Sequence, residues 1–257
     1  MDRQAVERLI DHLVARVDAA PAATAPFHHL KFSDVFPADV YAAILREMAQ
    51  TDEYRALRGR GNGNMRADGT SARVKIDLFP EYLRQMEPAR RAVWNGVGKA
   101  LCSTGLRDAF RRRLAPGLKQ RFGADFANVG MYPVPTLTRD GPGYKIGIHP
   151  DTHWKGITAQ FYLPRDHSIT QIGTVFHDRG PDRKFRRAGQ MEFAPNSGYA
   201  FAVGDDTFHS VDKVGDEIVA RDSILLTYFV DAGALRFLRN RGKRIGNFIL
   251  HEVRPGA

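Results

Sequence analysis

Cysteine is nearly missing from this chain. A single Cys102 among 257 residues excludes an intrachain disulfide and any thiolate cluster for zinc or iron–sulfur ligation. That scarcity fits a reducing compartment, so the expected location is cytoplasmic. No apolar run is long enough to span a bilayer, and no membrane partner is expected. The opening segment Met1–Ala20 carries Asp2, Arg3, Glu7, Arg8, Asp11 and Arg16 among its apolar positions, which excludes a secretory h-region there. Internal repeats and low-complexity tracts are lacking too. Acidic residues are in deficit: 29 Asp and Glu face 38 Lys and Arg, for a formal net charge of +9. The excess collects in Arg107–Arg121, Arg179–Arg187 and Arg236–Arg244, which read as solvated faces in preference to dedicated anion-binding patches.

What is present is the balance of an ordinary globular protein, 43% hydrophobic and 26% charged. The length suits a single domain over 1–257, with a mainly helical support region at 1–122, a β-rich core at 123–231 and a C-terminal helix and arm at 232–257. Val6, Leu9, Ile10, Leu13, Val14 and Val17 recur at helical spacing, and Pro21 and Pro26 end that helix. A second helix begins at about Pro37 and presents Val40, Ile44, Leu45 and Met48 on one side. The Gly-, Asn- and Arg-rich stretch Arg58–Thr70 reads as a loop, either a lid over a site or a solvent-facing excursion. Apolar helical stretches follow at Val93–Leu101 and Leu106–Leu118, interrupted by Gly105 and Pro116.

After Phe122 the texture becomes β-rich. Strands are predicted at Asn128–Tyr132, Tyr144–Ile148, Ile157–Leu163, Gly173–His177, Gln190–Ala194, Tyr199–Val203, Phe208–Val214 and Ser223–Val230. Short strands in this number imply a closed or sandwiched sheet, so the class is α+β with the N-terminal helices packed on one sheet. The tail Ala232–Arg244 reads as a basic helix and Phe248–Val253 as a last strand or extended arm.

The chemistry concentrates in Gly143–Asp151, where His149 and Asp151 stand two apart at a strand end and so project to one face. An imidazole and a carboxylate side by side supply two members of a 2-His-1-carboxylate metal site, the arrangement that leaves positions open on non-haem iron(II). His209, on the strand after the Asn196-Ser197-Gly198 turn and the apolar run Tyr199–Val203, can complete the set. Beyond it Arg221-Asp222-Ser223 opens the apolar strand Ile224–Phe229. A guanidinium there can grip a carboxylate through two parallel charge-assisted hydrogen bonds, with the Ser223 hydroxyl adding another.

Through His149-x-Asp151, His209 and Arg221-x-Ser223, in that order, the chain resembles the 2-oxoglutarate and iron(II)-dependent dioxygenase superfamily over roughly Asn128–Asp231. The segment Arg139–Tyr144 is similar to the lead-in of bacterial and prolyl-hydroxylase-like members. The resemblance implies a double-stranded β-helix of the jelly-roll or cupin-like kind, with iron(II) held by His149, Asp151 and His209. It further implies 2-oxoglutarate anchored by Arg221 and Ser223, O2 as co-oxidant, and C–H hydroxylation with release of succinate. Halogenating relatives carry Gly or Ala where this chain has Asp151, which favours hydroxylation, although desaturation and ring formation use the same ligands. The expected substrate is a small molecule such as an amino acid or related metabolite, with acidic and carrier-bound molecules included. A nucleic-acid substrate is disfavoured, because the demethylase branch has a second Arg six residues past its anchor and Thr227 stands there. A protein substrate and a non-catalytic β-helix binding module are the alternatives.

Neighbouring residues carry weaker readings. His153 and His177 are rival imidazoles ranked below His209. Tyr132, Thr158, Gln160 and Tyr162 are candidates to line the cosubstrate pocket; the alternation in Thr158–Leu163 equally allows an outward polar face. Trp154 and Lys155 stand next to the metal pair as substrate contacts or loop caps, and Cys102 reads as a small core residue.

Overall fold

A computed structural model describes residues 1–56, 65–66 and 68–231. The expected helix at Ala232–Arg244, the strand at Phe248–Val253 and most of the loop at Arg58–Thr70 lie outside those residues.

The chain begins with α1 (Arg3–Ala19), capped where the Asp2 carboxylate accepts from the Ala5 amide at 2.8 Å, and it buries Leu9, Leu13 and Val17 along one stripe. Then come β1 (Ala22–Ala23), β2 (His29–Phe32), α2 (Ala38–Arg46), β3 (Arg55–Ala56), β4 (Arg73–Asp77) and the short α3 (Pro80–Leu83). Three further helices follow: α4 (Pro88–Leu101), α5 (Thr104–Arg113) and α6 (Ala115–Phe122). The two helical stretches expected after Glu81 are thus three helices plus a short turn of helix. Gly105 interrupts nothing, because it sits in the first turn of α5 behind the Ser103 cap, while Pro116 opens α6, where its missing N–H is harmless.

The second half is β5 (Met131–Asp140), β6 (Ile146–His149), β7 (Lys155–Tyr162), β8 (Val175–Arg179), β9 (Phe185–Gln190), β10 (Gly198–Ala202), β11 (His209–Val211) and β12 (Arg221–Val230). They form an eight-stranded sheet ordered β1-β2-β10-β7-β12-β5-β4-β3 and a four-stranded sheet ordered β6-β11-β8-β9, every pairing antiparallel. The large sheet has two unlike faces, set by strict alternation. On its outer face Leu137, Ile157, Ala159, Phe161, Ile224, Leu226 and Tyr228 join one apolar core with Leu9, Leu13, Val97 and Phe110 of the helices. The inner face looks toward the small sheet, where Phe176 packs on Phe27, Tyr199 and Phe201.

Several strand expectations change, since β1, β2 and β3 were not expected either and the strand at Phe208–Val214 is only His209–Val211. The first strand does not stop at Tyr132 but runs on to Asp140, with Pro133 and Pro135 inside it. Its second partner, β4, pairs only with residues 136–140, so both prolines lie where that edge needs no amide donor. The strand placed at Gln190–Ala194 is instead β9 at Phe185–Gln190, an exposed hairpin arm in the basic run read as a solvated face. β4 went unpredicted, since Arg73, Lys75 and Asp77 make its inner face charged.

Trp94 joins helix to helix, fully buried on α4 with its indole N–H donating to the Glu47 carbonyl at 2.8 Å at the end of α2. Close packing continues at Gly98, where a Cβ would come within 2.3 Å of the Leu78 carbonyl oxygen. Trp94→Ala is expected to cost about 3–5 kcal/mol, by loss of burial plus a residual cavity. Chemical denaturation would show this as a lowered midpoint with an unchanged slope.

Candidate metal centre and anion pocket

β6 and β11 are antiparallel neighbours in which His149 and His209 are direct partners, so both imidazoles leave the same face, with ring centroids 4.5 Å apart. Asp151 follows β6 immediately, and one ligand atom from each of His149, Asp151 and His209 lies within 4.8 Å of the others. Among the described residues this is the one group of three or more His, Cys, Asp or Glu side chains so placed.

The second layer fixes how these groups point. His149 Nδ1 lies 2.9 Å from the Gly147 carbonyl oxygen and His209 Nδ1 lies 3.0 Å from that of Thr207. A carbonyl only accepts, so each Nδ1 carries a proton and each Nε2 is the ring nitrogen turned away from the backbone. Burial pushes the His209 imidazole down to about 4, opposed by Asp151 and reinforced by His149, so it is neutral at physiological pH. Burial alone would push the Asp151 carboxyl up. The Lys155 ammonium and His209, with hydrogen bonds from Lys155 and Thr158, outweigh this and hold it below the usual carboxylate range. Lys155 Nζ is 2.5 Å from Oδ1 and Thr158 Oγ1 is 2.6 Å from Oδ2. Two imidazoles presenting Nε2 and one carboxylate form a donor set that suits iron(II).

The other candidates divide. Thr158, Gln160 and Tyr162 face inward, which decides between the two readings of their alternation: Ala159 and Phe161 belong to the helix-side core. Gln160 Nε2 donates to Ser223 Oγ at 2.8 Å, and Tyr199 donates to Gln160 Oε1 at 2.8 Å. Arg221 is wholly buried, stacked 5.3 Å from both the Tyr162 and Phe193 ring centres. It donates to Asp140 Oδ2 at 2.8 Å, to the Ile172 carbonyl at 2.8 Å and to Thr174 Oγ1 at 3.3 Å. Tyr132 shares the inner face but pairs with Phe229, on which it stacks at 5.7 Å. The β12 run from Arg221 to Phe229 separates it from the guanidinium by roughly 27 Å of strand rise. His177 points elsewhere, 2.8 Å from Ser210 Oγ, and His153 is exposed near Asp205. Trp154 is largely exposed, and its carbonyl accepts from the Val230 amide.

Sequence reasoning missed the charge partners of Arg221. Asp140 is fully buried and shared: Arg73 reaches it through Nε at 2.5 Å and Nη2 at 2.8 Å, and Arg221 from the other side. Two guanidinium ions around one carboxylate leave a net positive charge in the interior. Beside them the Tyr144 hydroxyl is buried without a hydrogen-bond partner, and burial pushes it up to about 12, so it stays a neutral donor. A buried surplus cation next to an unused donor is a site short of an anion. The distal carboxylate of a dicarboxylic acid fits that description. A cavity of about 700 Å³ is lined by Phe27, Arg121, His153, Arg179 and Phe208 among others, and His149, Asp151 and His209 do not border it.

No family model and no curated protein matches the chain. Solved structures do. A prolyl hydroxylase in complex with a hypoxia inducible factor oxygen degradation domain peptide fragment, from Trichoplax adhaerens, superposes with TM-score 0.54 at 12% identity, covering 88% of this chain and 91% of that one. A Pseudomonas putida prolyl-4-hydroxylase aligns with TM-score 0.48 at 15% identity over 86% and 98% of the two chains. The alpha ketoglutarate dependent epimerase SnoN from nogalamycin biosynthesis aligns with TM-score 0.46 at 14% identity over 89% and 82%. The first of these shows the fold: a double-stranded β-helix with helices on the outside of its larger sheet.

Proposed function

We propose that this chain is an iron(II)- and 2-oxoglutarate-dependent oxygenase that hydroxylates a C–H bond of a small molecule, an amino acid or a related metabolite. The convergence of His149, Asp151 and His209 within 4.8 Å, each imidazole turned by a backbone carbonyl to offer Nε2, carries this reading. In it those three residues hold the metal, and Arg221, with Ser223 and the unused Tyr144 hydroxyl, holds the distal carboxylate of 2-oxoglutarate. Bound together, iron and 2-oxoglutarate supply oxygen activation coupled to decarboxylation. The net reaction is R–H + O2 + 2-oxoglutarate giving R–OH + succinate + CO2.

The protein's part is placement. Lys155 and Thr158 engage both Asp151 oxygens and fix the carboxylate plane. Gln160, Tyr199 and Thr174 line the interior between metal and anchor with satisfied hydrogen bonds, so the pocket is preorganised. The Arg73–Asp140 pair keeps the Arg221 fork from rotating. A nucleic-acid substrate remains disfavoured: Thr227, at the position of the second Arg, is buried opposite Thr158. A peptide substrate is the second reading, supported by the half-buried Tyr132 and Val134 at the start of the inner face of β5 and by the peptide bound to the Trichoplax prolyl hydroxylase.

Purified protein given iron(II), 2-oxoglutarate and air is expected to form succinate slowly without added substrate, and to stop when iron is chelated. Succinate formation indifferent to chelation, or none at all with iron bound, would refute the assignment.

A further inference from the structure

The pairing of β6 with β11 fixes His149 against His209, but Asp151 lies beyond the end of β6, outside that ladder. Its turn, which runs into β7, is held from a helix. α6 approaches the end of β10 so closely that a Cβ on Gly117 would come within 2.9 Å of the Ala202 Cβ. Arg121 stands one turn on from Gly117, on the same face of α6, so its side chain is carried over the strand end. There the half-buried guanidinium donates to three main-chain carbonyls. Nη1 reaches those of Lys155 and, at 2.8 Å, Val203, and Nη2 reaches that of His153. His153 and Lys155 follow Asp151 in the turn into β7, and Val203 opens the turn that leads to His209. One planar cation ties the two turns together.

Both turns have a task at the metal centre. Lys155 donates through Nζ to Asp151 Oδ1 at 2.5 Å. Past Val203, the Gly204 amide donates to Thr207 Oγ1 at 3.2 Å, and that hydroxyl donates back to the Gly204 carbonyl at 2.8 Å. This closes a turn whose Thr207 carbonyl lies 3.0 Å from His209 Nδ1 and orients that ring. Gln120, beside Arg121, adds a bond to the same turn through Asp206 Oδ2 at 3.2 Å. Arginines elsewhere make the same kind of contact to segments that carry no ligand: Arg113 of α5 donates to the Ala20 carbonyl at the end of α1. Bracing by arginine is thus general in this fold. What sets Arg121 apart is the pair of segments it braces.

Building on the oxygenase reading, we infer that Arg121 is a positioning residue of the metal centre, setting where the Asp151 turn stands relative to the His209 turn. It acts through Lys155 and Asp151 on one side and through Thr207 and His209 on the other. Its presence decides which coordination geometry the three ligands present.

The test compares Arg121→Met and Arg121→Lys with Arg113→Met. Three quantities are measured on each: manganese(II) affinity by calorimetry, the absorption spectrum of the cobalt(II)-loaded protein, and the thermal unfolding midpoint without metal. Arg121→Met is expected to weaken metal binding by about tenfold to a hundredfold, the scale found when groups that orient metal ligands are removed. It should also shift the cobalt(II) ligand-field bands at saturating metal, which a loss of stability alone would not do. Arg121→Lys keeps the charge and loses the fork, so its affinity should fall between those of the parent and Arg121→Met. Arg113→Met should lower the midpoint and leave affinity and spectrum as in the parent. The inference is overturned if the Arg121 variants keep the parent's affinity and spectrum, or if Arg113→Met loses as much affinity as Arg121→Met. Should Arg121→Met fail to fold, Arg121→Lys decides alone. A parent that binds metal and forms succinate, with Arg121 variants unchanged in affinity and spectrum, refutes this inference and leaves the oxygenase reading standing. A parent that binds no metal removes both.

Discussion

His209→Ala is expected to reduce 2-oxoglutarate turnover by on the order of a thousandfold or more, with iron(II) affinity falling alongside it. The imidazole is the only ligand supplied from β11, and it opposes His149 directly in the strand register, so no neighbouring donor can replace it. His177, one strand away, is committed to Ser210. The substitution leaves the fold in place, because β11 keeps its backbone pairing to β6 and β8 and only a small void opens against Phe201. Calorimetric titration with iron(II) or manganese(II), beside a succinate assay and a circular dichroism spectrum, separates lost metal from lost fold. A folded variant that binds metal and 2-oxoglutarate as the parent does would end the metal assignment.

Arg221→Met should produce two effects at once. Removing one partner of a fully buried ion pair leaves the other charge stranded, a change worth about 3–5 kcal/mol when the survivor has no second partner. Asp140 retains Arg73, so the loss should sit near the lower end of that range. The cosubstrate effect is separate: the interior loses its surplus positive charge, and 2-oxoglutarate affinity should fall by about tenfold to a hundredfold or more, the scale of charged hydrogen bonds. Arg221→Lys keeps the charge and loses the fork, so it should recover part of the binding but not the geometry that spans Asp140, Ile172 and Thr174. Thermal unfolding with and without 2-oxoglutarate measures both effects in one experiment. If the ligand raises the midpoint of Arg221→Met as much as that of the parent protein, Arg221 is not the anchor.

Much of the site was legible because its parts are local or strictly ordered. His149 and Asp151 are two residues apart, and their shared face follows from strand alternation alone. Arg221 and Ser223 share a face for the same reason, and both point inward. What stayed hidden depends on chain segments far apart in sequence. Arg73 sits on a strand too charged to look like one, and Asp140 closes a strand expected to end at Tyr132. Neither could be joined to Arg221 before β4, β5 and β12 were known to be adjacent. The β8–β9 hairpin was misplaced because its second arm lies in the open with no apolar face to set a period.

The sequence by itself determined the candidate ligand types, their order along the chain and the α+β division into helices followed by strands, because these depend on residue chemistry and local periodicity. Only the tertiary structure decided which face of each strand is the inside. Thr158, Gln160 and Tyr162 alternate with apolar neighbours whether they face a pocket or solvent, and it is the helices packed on Ala159 and Phe161 that turn them toward the small sheet. The scarcity of acidic residues acquired its meaning there as well. Asp140 set between Arg73 and Arg221 leaves the buried cluster with two cations to one anion, and that surplus is what supports the proposed cosubstrate anchor.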